Sequence, residues 1–172
     1  YRISYEMVSG NQGHWSDLST EEISTVRDLM DTMIPTPSGC FIEGSPHWPL
    51  KSIGVEHLSG INLRQEEINW ISTKLTGDVQ QEALFSYLTE LGCVLRPGFK
   101  YGCKWRVYDD DVAKSHAPWL LQPMTEAPVS WEQTCLSVRL AEGVHKKWVC
   151  GLKEDIGDWK FLHIKRWLPG RV

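Results

Sequence analysis

The chain changes from helical to strand periodicity at Gly92, and this change limits the class of fold that it can adopt. Before Gly92, apolar side chains recur at helical spacing behind capping-box sequences at residues 19–22 and 78–81. After Gly92, short apolar segments alternate with turn residues such as Pro97 and Gly98, as is typical of strands. This order of helices, strands, helix and strands predicts an α+β protein.

The predicted elements fall on both sides of a boundary at residues 77–78, where Gly77 ends one helix and Asp78 begins the next. We therefore expect an N-terminal domain at residues 1–77 and a C-terminal domain at residues 78–172. The spacing predicts helices over residues 19–33, about 64–75, 78–92 and 130–142. It predicts strands over residues 93–96, 105–108, 117–122, 146–153 and 159–167. Residues 1–18 are expected to be irregular, and residues 35–54 to form turns with short strands.

Charge is distributed unequally along the 172 residues. The net charge is −4, but residues 1–84 hold 5 Lys/Arg against 12 Asp/Glu, whereas residues 85–172 hold 13 against 10. Only the second part has the sign expected of a surface that binds phosphate groups. A chance imbalance between two small domains is the alternative to this interpretation.

Composition excludes several classes of protein. No apolar run approaches the roughly 20 residues that span a bilayer, so we expect no contact with a membrane. The five cysteines are odd in number and none forms a C-x-x-C pair, which argues for a reducing, intracellular compartment and against a zinc site or a disulfide scaffold. No signal-peptide pattern opens the sequence, and its start at Tyr1 predicts a processed or trimmed end.

Three side chains in the second part carry groups suited to cleaving RNA. Tyr108 offers a phenol, His116 an imidazole and Lys146 an ammonium group. Attack by the 2′-hydroxyl of RNA needs a base for its proton, an acid for the departing 5′-oxygen and a positive charge beside the phosphorus. The three groups together can supply these functions without a metal ion. Taken singly, each has an ordinary alternative: a partly buried tyrosine, a surface histidine and a solvated lysine.

Further motifs accompany these residues in a fixed order. A Lys-x-Gly element begins at Lys100, eight positions separate Tyr108 from His116, and an Arg-x6-Lys-Lys element occupies residues 139–147. In this combination residues 84–172 resemble the catalytic domain of the tRNA-splicing endonucleases. The loop after the tyrosine departs from the commoner Gly- and Pro-containing form. The resemblance implies a small N-terminal α/β domain followed by a C-terminal catalytic nuclease domain with a mixed sheet flanked by helices.

The resemblance also implies a role for each residue of the three. Tyr108 would be the base, His116 the acid, and Lys146 the cation that stabilises charge on the phosphate. The products would be a 2′,3′-cyclic phosphate and a 5′-hydroxyl, formed with no metal ion and no cofactor. A free tyrosine is a weak base at neutral pH, so nearby positive charge must assist it.

The same resemblance implies the substrate and the partners. Arg139 and Trp167 match positions that grip a base flipped out of the RNA, which an arginine plane and an indole can do without reading sequence. The substrate would be precursor tRNA, cut at bulge-helix-bulge or anticodon-region intron junctions. The enzyme would be a dimer or tetramer of homologous subunits, placed in the nucleus of a eukaryote or the cytoplasm of an archaeon.

An acidic loop near the end of the sequence is the expected contact with another subunit. Glu154, Asp155 and Asp158 match a loop that docks into a basic pocket in the family. An ordinary acidic turn is the alternative, because exposed ion pairs contribute only ~0–1 kcal/mol.

The identity of the catalytic lysine, the need for a metal ion and the role as an enzyme each have a rival interpretation. Lys147 is the rival to Lys146, because neighbouring side chains on an extended chain point in opposite directions. A metal-dependent nuclease is the rival enzyme, with Asp109, Asp110 and Asp111 as ligands, although consecutive carboxylates splay apart. The rival to an enzyme is a structural or RNA-binding subunit of the same type of assembly.

Overall fold

A computed structural model of the chain describes residues 1–44, 47–78, 83–155 and 158–167. Two compact units are present: residues 12–92 form one, and residues 1–11 together with residues 93–172 form the other. The helices and strands assigned within the described ranges confirm the α+β class. The predicted boundary at residues 77–78 lies inside the unit of residues 12–92. The division into domains at residues 1–77 and 78–172 stays a prediction.

In its described residues, the unit of residues 12–92 contains three α-helices and a four-stranded antiparallel sheet with the strand order β2-β3-β5-β4. Its helices are α1 (Thr20–Met30), α2 (Gln65–Thr76) and α3 (Ala83–Glu90). Its strands are β2 (Ile34–Thr36), β3 (Gly39–Ile42), β4 (Val55–His57) and β5 (Gly60–Arg64).

Local signals account for the ends of these helices. The Ser19 hydroxyl accepts a hydrogen bond of 3.1 Å from the Glu22 amide, and the Glu22 carboxylate accepts one of 3.0 Å from the Ser19 amide. Helix α2 ends at Gly77, whose φ of 77° is the left-handed conformation that glycine adopts most readily. The predictions for α1 and α2 are confirmed. The capping box predicted before α3 extends into residues 79–81, which lie outside the described part of the chain.

The second unit contains a six-stranded mixed sheet in the order β1-β10-β9-β8-β7-β6. Its strands are β1 (Arg2–Tyr5), β6 (Val94–Pro97), β7 (Trp105–Tyr108), β8 (Trp119–Pro123), β9 (Lys147–Lys153) and β10 (Trp159–Lys165). Only β8 and β9 are parallel, and helix α4 (Trp131–Gly143) connects them. Ser130 caps this helix by accepting a hydrogen bond of 3.2 Å from the Gln133 amide.

Helix α4 covers one face of the sheet and supplies much of its core. Val138 and Ala141 of the helix pack with Leu120 of β8, Trp148 of β9 and Ile164 of β10. All five are at most 7% exposed, and burying an apolar side chain of this size stabilises the fold by about 1.5–3 kcal/mol. The helix therefore packs on the part of the sheet formed by β8, β9 and β10.

The sequence prediction for residues 1–18 is wrong at residues 2–5. These residues form β1, which pairs antiparallel with β10 from Arg2 opposite Lys165 to Tyr5 opposite Leu162. Its four residues, Arg-Ile-Ser-Tyr, do alternate polar and apolar side chains, but all four are exposed, so no buried face marks them as part of a core. The turn between β4 and β5 is also hidden in the sequence, because Leu58 and Ser59 adopt positive φ angles of 50° and 61° without a glycine.

Candidate active site

Tyr108 lies at the end of β7 with its side chain largely buried. It packs with Val94 and Ala117 in a small cluster and is 8% exposed. Arg106 stands two residues earlier on the same strand and therefore on the same face of the sheet. Its Nη1 donates a hydrogen bond of 3.3 Å to the Tyr108 hydroxyl oxygen. The phenol oxygen is thereby held beside a permanent positive charge.

His116 lies on a loop that is ordered by a turn at Asp111. The Asp111 carbonyl oxygen accepts hydrogen bonds from the amides of residues 114–115, at 2.9 and 3.1 Å, and its carboxylate accepts one of 2.9 Å from the Ala113 amide. His116 is exposed, whereas Ala117 beside it is 2% exposed. The imidazole is therefore open to solvent on a backbone that is fixed on one side.

The acidic run at residues 109–111 is part of the same turn. The Asp110 carboxylate accepts a hydrogen bond of 2.7 Å from the Asp111 amide. Burial, and then the charge of Asp109, raise the pKa of the Cys93 thiol to about 12. Across the residues that the structure describes, no group of three His, Cys, Asp or Glu side chains is placed to hold a metal ion. Hydrogen bonding to the loop backbone accounts for two of the three carboxylates.

Lys146 follows the end of α4 and turns toward the loop after β7. His145 adopts a left-handed conformation with a φ of 58°, and the Lys146 amide donates a hydrogen bond of 2.9 Å to the Ala141 carbonyl. The Lys146 ammonium donates a hydrogen bond of 2.7 Å to the Ala117 carbonyl oxygen. Partial burial, and secondarily the charge of Arg106, lower the pKa of Lys146 below its ordinary value.

The Lys147 side chain pairs with Glu6 and not with the loop that carries His116. The Lys147 amide donates a hydrogen bond of 2.9 Å to the Pro118 carbonyl, and its ammonium lies 2.8 Å from the Glu6 carboxylate. Glu6 also accepts a hydrogen bond of 3.2 Å from the indole nitrogen of Trp119. Of the two lysines, Lys146 is the one whose ammonium lies beside the loop that carries the imidazole.

Ala117 connects the three predicted catalytic residues. Tyr108 belongs to the same buried cluster, Lys146 binds the Ala117 carbonyl, and His116 directly precedes it in the chain. The structure thus places Tyr108 and the Lys146 ammonium beside Ala117, the residue that follows His116 in the chain. A phenol, an imidazole and an ammonium group can together take a proton, give a proton and neutralise charge on a phosphate. The assignment of these roles remains a prediction.

Arg139 and Trp167, the predicted base-binding pair, lie on neighbouring segments. Arg139 is exposed on α4, and one turn later the Glu142 carboxylate accepts a hydrogen bond of 2.8 Å from the Arg166 amide. Because residues three apart share a helix face, Arg139 lies on the face that meets the end of β10. Trp167 is 47% exposed, and the Arg2 guanidinium lies over its ring at 4.9 Å from the centroid. Their contact with RNA remains a prediction.

The predicted subunit contact lies on the hairpin between β9 and β10. Glu154 already has a partner in its own chain, the Lys160 ammonium at 2.8 Å, and its amide donates a hydrogen bond of 2.8 Å to the Asp158 carbonyl. Asp155 and Asp158 are exposed. Residues 156–157 of the same loop lie outside the described part of the chain. The two exposed carboxylates therefore remain the stronger candidates for docking.

The sequence analysis did not identify Arg106, which donates a hydrogen bond to the Tyr108 hydroxyl, or Arg2, which lies over the Trp167 ring. The signal for Arg106 is the Arg-x-Tyr spacing in a predicted strand, which places both side chains on one face. No local signal exists for Arg2, because its neighbour Trp167 is brought to it only by the pairing of β1 with β10.

Comparison with known proteins identifies the domain that contains this site. Residues 79–161 match the family model described as tRNA intron endonuclease, catalytic C-terminal domain. This part of the chain belongs to the tRNA intron endonuclease family. The matched range contains the three predicted catalytic residues, Arg139 and the acidic loop, whereas Trp167 lies beyond it.

Several tRNA-splicing endonucleases are similar to the chain. That of Methanopyrus kandleri is 29% identical over 107 residues, which is 60% of this chain and 59% of that protein. That of Thermoplasma volcanium is 31% identical over 121 residues, covering 70% of this chain and 39% of that protein. That of Haloferax volcanii is 34% identical over 96 residues, covering 51% and 27%. The alignments thus span between 27% and 59% of the length of these three relatives.

Within the described ranges, none of the helices is both long enough and apolar enough to cross a membrane.

Proposed function

We propose that this chain is a catalytic subunit of a tRNA intron endonuclease that cleaves precursor tRNA at its splice junctions. The observation that carries the proposal is that Tyr108 and the Lys146 ammonium both contact Ala117, the neighbour of His116, within the matched domain. The family match supports precursor tRNA as the substrate and a phosphodiester bond at a splice junction as the bond that is cleaved. The geometry supports the use of three different acid–base groups at one phosphate.

The proposed reaction is a transfer of the phosphate to the neighbouring 2′-oxygen. Tyr108, in its deprotonated form, takes the proton of the 2′-hydroxyl, the 2′-oxygen forms a bond to phosphorus, and the bond from phosphorus to the 5′-oxygen breaks. His116 gives its proton to the departing 5′-oxygen, which leaves as a 5′-hydroxyl. Lys146 neutralises the charge that builds on the phosphate oxygens. The other product is a 2′,3′-cyclic phosphate, and neither a metal ion nor a cofactor takes part.

RNA binding and assembly complete the proposal. Arg139 and Trp167 would hold a bulged base by stacking, and Trp167 has one ring face turned to Arg2. Asp155 and Asp158, with Glu154, would dock into another subunit of a dimer or tetramer. Such a subunit would work in the nucleus of a eukaryote or the cytoplasm of an archaeon.

The alternative is a structural or RNA-binding subunit of the same type of assembly. Activity of the His116→Ala variant distinguishes the two functions.

The proposal is tested by cleavage of a bulge-helix-bulge RNA in EDTA, by the chain alone and with candidate partner subunits. We expect cleavage to persist in EDTA and His116→Ala to slow it by about 10²–10⁴. The 5′ end of the product should accept phosphate from a polynucleotide kinase, and the cyclic end should resist phosphatase until acid opens it.

Two results would contradict the proposal. If chelation abolishes cleavage and Mg²⁺ restores it, the metal-free reaction is wrong, and the acidic run at residues 109–111 becomes the candidate ligand set. If His116→Ala cleaves at the rate of the unaltered chain, the catalytic role is wrong and the structural subunit is the better description.

A further inference from the structure

Arg106 is a charged residue beside the site that the proposed three-residue chemistry does not use. It lies on β7 between the Tyr108 hydroxyl and the β6 backbone, where its Nε donates a hydrogen bond of 3.0 Å to the Pro97 carbonyl. We propose that Arg106 is a further binding residue of the site, which holds the Tyr108 hydroxyl and shares one RNA phosphate with Lys146. This inference rests on the proposed function.

The hydrogen bonds of the guanidinium leave room for a ligand. An arginine side chain has about five N–H donors arranged in a rigid fork. Within the described residues, the Arg106 side chain donates to two oxygens, those of Pro97 and Tyr108. These two bonds fix the plane of the fork, and the remaining donors suit a phosphate, which arginine binds through two parallel bonds.

The charges around Arg106 favour an anion. The Arg106 charge is close enough to Lys146 to disfavour its ammonium form. A phosphate placed between Arg106 and Lys146 would relieve this repulsion, so binding should be coupled to protonation of Lys146.

The other titratable groups near Lys146 do not supply the missing negative charge. Tyr108, as the proposed base, acts in its deprotonated form, whose charge faces Arg106, and His145 before Lys146 supplies no negative charge. The carboxylate of Glu142, four residues before Lys146, accepts a hydrogen bond from the Arg166 amide and faces its guanidinium at 3.7 Å. A phosphate ligand would supply the negative charge that these groups do not.

The test uses Arg106→Gln, which removes the charge, and Arg106→Lys, which keeps it. Lys114→Gln is the matched control, because it removes one positive charge from the exposed loop nearby. The first measurement is the affinity for a precursor RNA with a 2′-deoxy sugar at the junction, which binds without being cleaved. Arg106→Gln should weaken binding about 10- to 100-fold and reduce the slope of log K against log salt by about 1.

The second measurement reports on the site without any cleavage. The side-chain amine of Lys146 is followed by NMR through a pH titration, with and without inorganic phosphate, and Lys146→Arg identifies its signal. In the unaltered chain and in Lys114→Gln, phosphate should shift the Lys146 titration to higher pH. In Arg106→Gln the midpoint without phosphate should already be higher, and phosphate should change it much less. Arg106→Lys should restore the unaltered behaviour in part.

The outcomes separate this inference from the proposed function. If Arg106→Gln binds the 2′-deoxy RNA as the unaltered chain does, while His116→Ala still abolishes cleavage, the role of Arg106 is wrong and the endonuclease assignment stands. If His116→Ala leaves cleavage intact, the proposed function fails, and Arg106 loses its place in the reaction with it. If Arg106→Gln does not fold, Arg106→Lys decides: an RNA affinity and a phosphate-induced shift of Lys146 equal to those of the unaltered chain would overturn the inference, because lysine lacks the two parallel bonds of the guanidinium.

Discussion

Replacing Lys146 with Met should separate the stability of the chain from its activity. The change removes the 2.7 Å bond to the Ala117 carbonyl, and a hydrogen bond to a charged group contributes about 1.5–3 kcal/mol. It also removes a charge that burial and Arg106 disfavour, as the lowered pKa of Lys146 shows. The two effects oppose each other, so we expect a net loss of about 1–2 kcal/mol in the free energy of unfolding.

The sign of the charge effect follows from proton binding. Because the pKa of Lys146 is lower in the folded chain, the unfolded chain binds this proton more tightly. The cost in stability of charging Lys146 in the folded chain is therefore fully present at neutral pH. It is relieved as the pH rises through the pKa of Lys146 in the folded chain toward its ordinary pKa. A methionine at this position has no charge and therefore no such cost. Relative to Lys146→Met, the unaltered chain should therefore become more stable as the solution is made alkaline.

Lys147→Met is the matched control. It removes the ion pair with Glu6 at 2.8 Å, in which the lysine side chain is 52% exposed, and exposed pairs contribute only about 0–1 kcal/mol. A chain of this size loses about 2–4 °C in melting temperature for each kcal/mol. Both variants should thus melt a few degrees lower than the unaltered chain.

Activity should distinguish the two variants sharply. Single-turnover cleavage should fall by about 10²–10³ in Lys146→Met, the usual cost of removing one group that stabilises charge on the reacting phosphate. In Lys147→Met it should change by less than about threefold, because that ammonium pairs with Glu6. Thermal unfolding and cleavage are measured on one preparation of each protein. Equal losses of activity in both variants, or losses that follow the melting temperature, would refute the assignment of Lys146.

Two further predictions concern the RNA and the partner subunit. Trp167→Ala should weaken RNA binding by roughly 5- to 150-fold, since stacking on one base contributes ~1–3 kcal/mol; a lower melting temperature with unchanged affinity would mean that the indole serves only the Arg2 contact. Changing Glu154, Asp155 and Asp158 to Ser should weaken subunit association most at high dilution, because assembly follows mass action. Sedimentation that stays constant over a dilution series would remove this loop from the interface.

The parts of the fold that sequence could predict are those with local causes. The Ser19 capping box and the Gly77 stop define helices through contacts within a few residues, and both are as expected. Strand β1 has no such cause, because four exposed residues become a strand only when β10 supplies their hydrogen bonds. The turn at Leu58 is equally hidden, since its backbone conformation is one that leucine rarely adopts.

The candidate site divides in the same way. The order of Tyr108, His116 and Lys146 along the chain is sufficient to predict them together, but spacing alone does not choose between Lys146 and Lys147. The structure distinguishes the lysines through long-range contacts, the Ala117 carbonyl for one and Glu6 for the other. No local pattern encodes which carbonyl or carboxylate will stand beside an ammonium group after folding.

The pairing of β1 with β10 has a consequence for how the chain reaches its folded state. Arg2 is synthesised long before its partner Lys165, because most of the chain lies between them. During synthesis β1 is therefore unpaired until β10 has been made. It carries the large apolar side chains Ile3 and Tyr5, which are 61% and 71% exposed even in the paired strand. An unpaired apolar strand is a site of aggregation. The yield of folded protein on expression should thus depend on how long β1 remains unpaired. Polar replacements at Ile3 and Tyr5 should increase that yield, with little effect on the completed sheet.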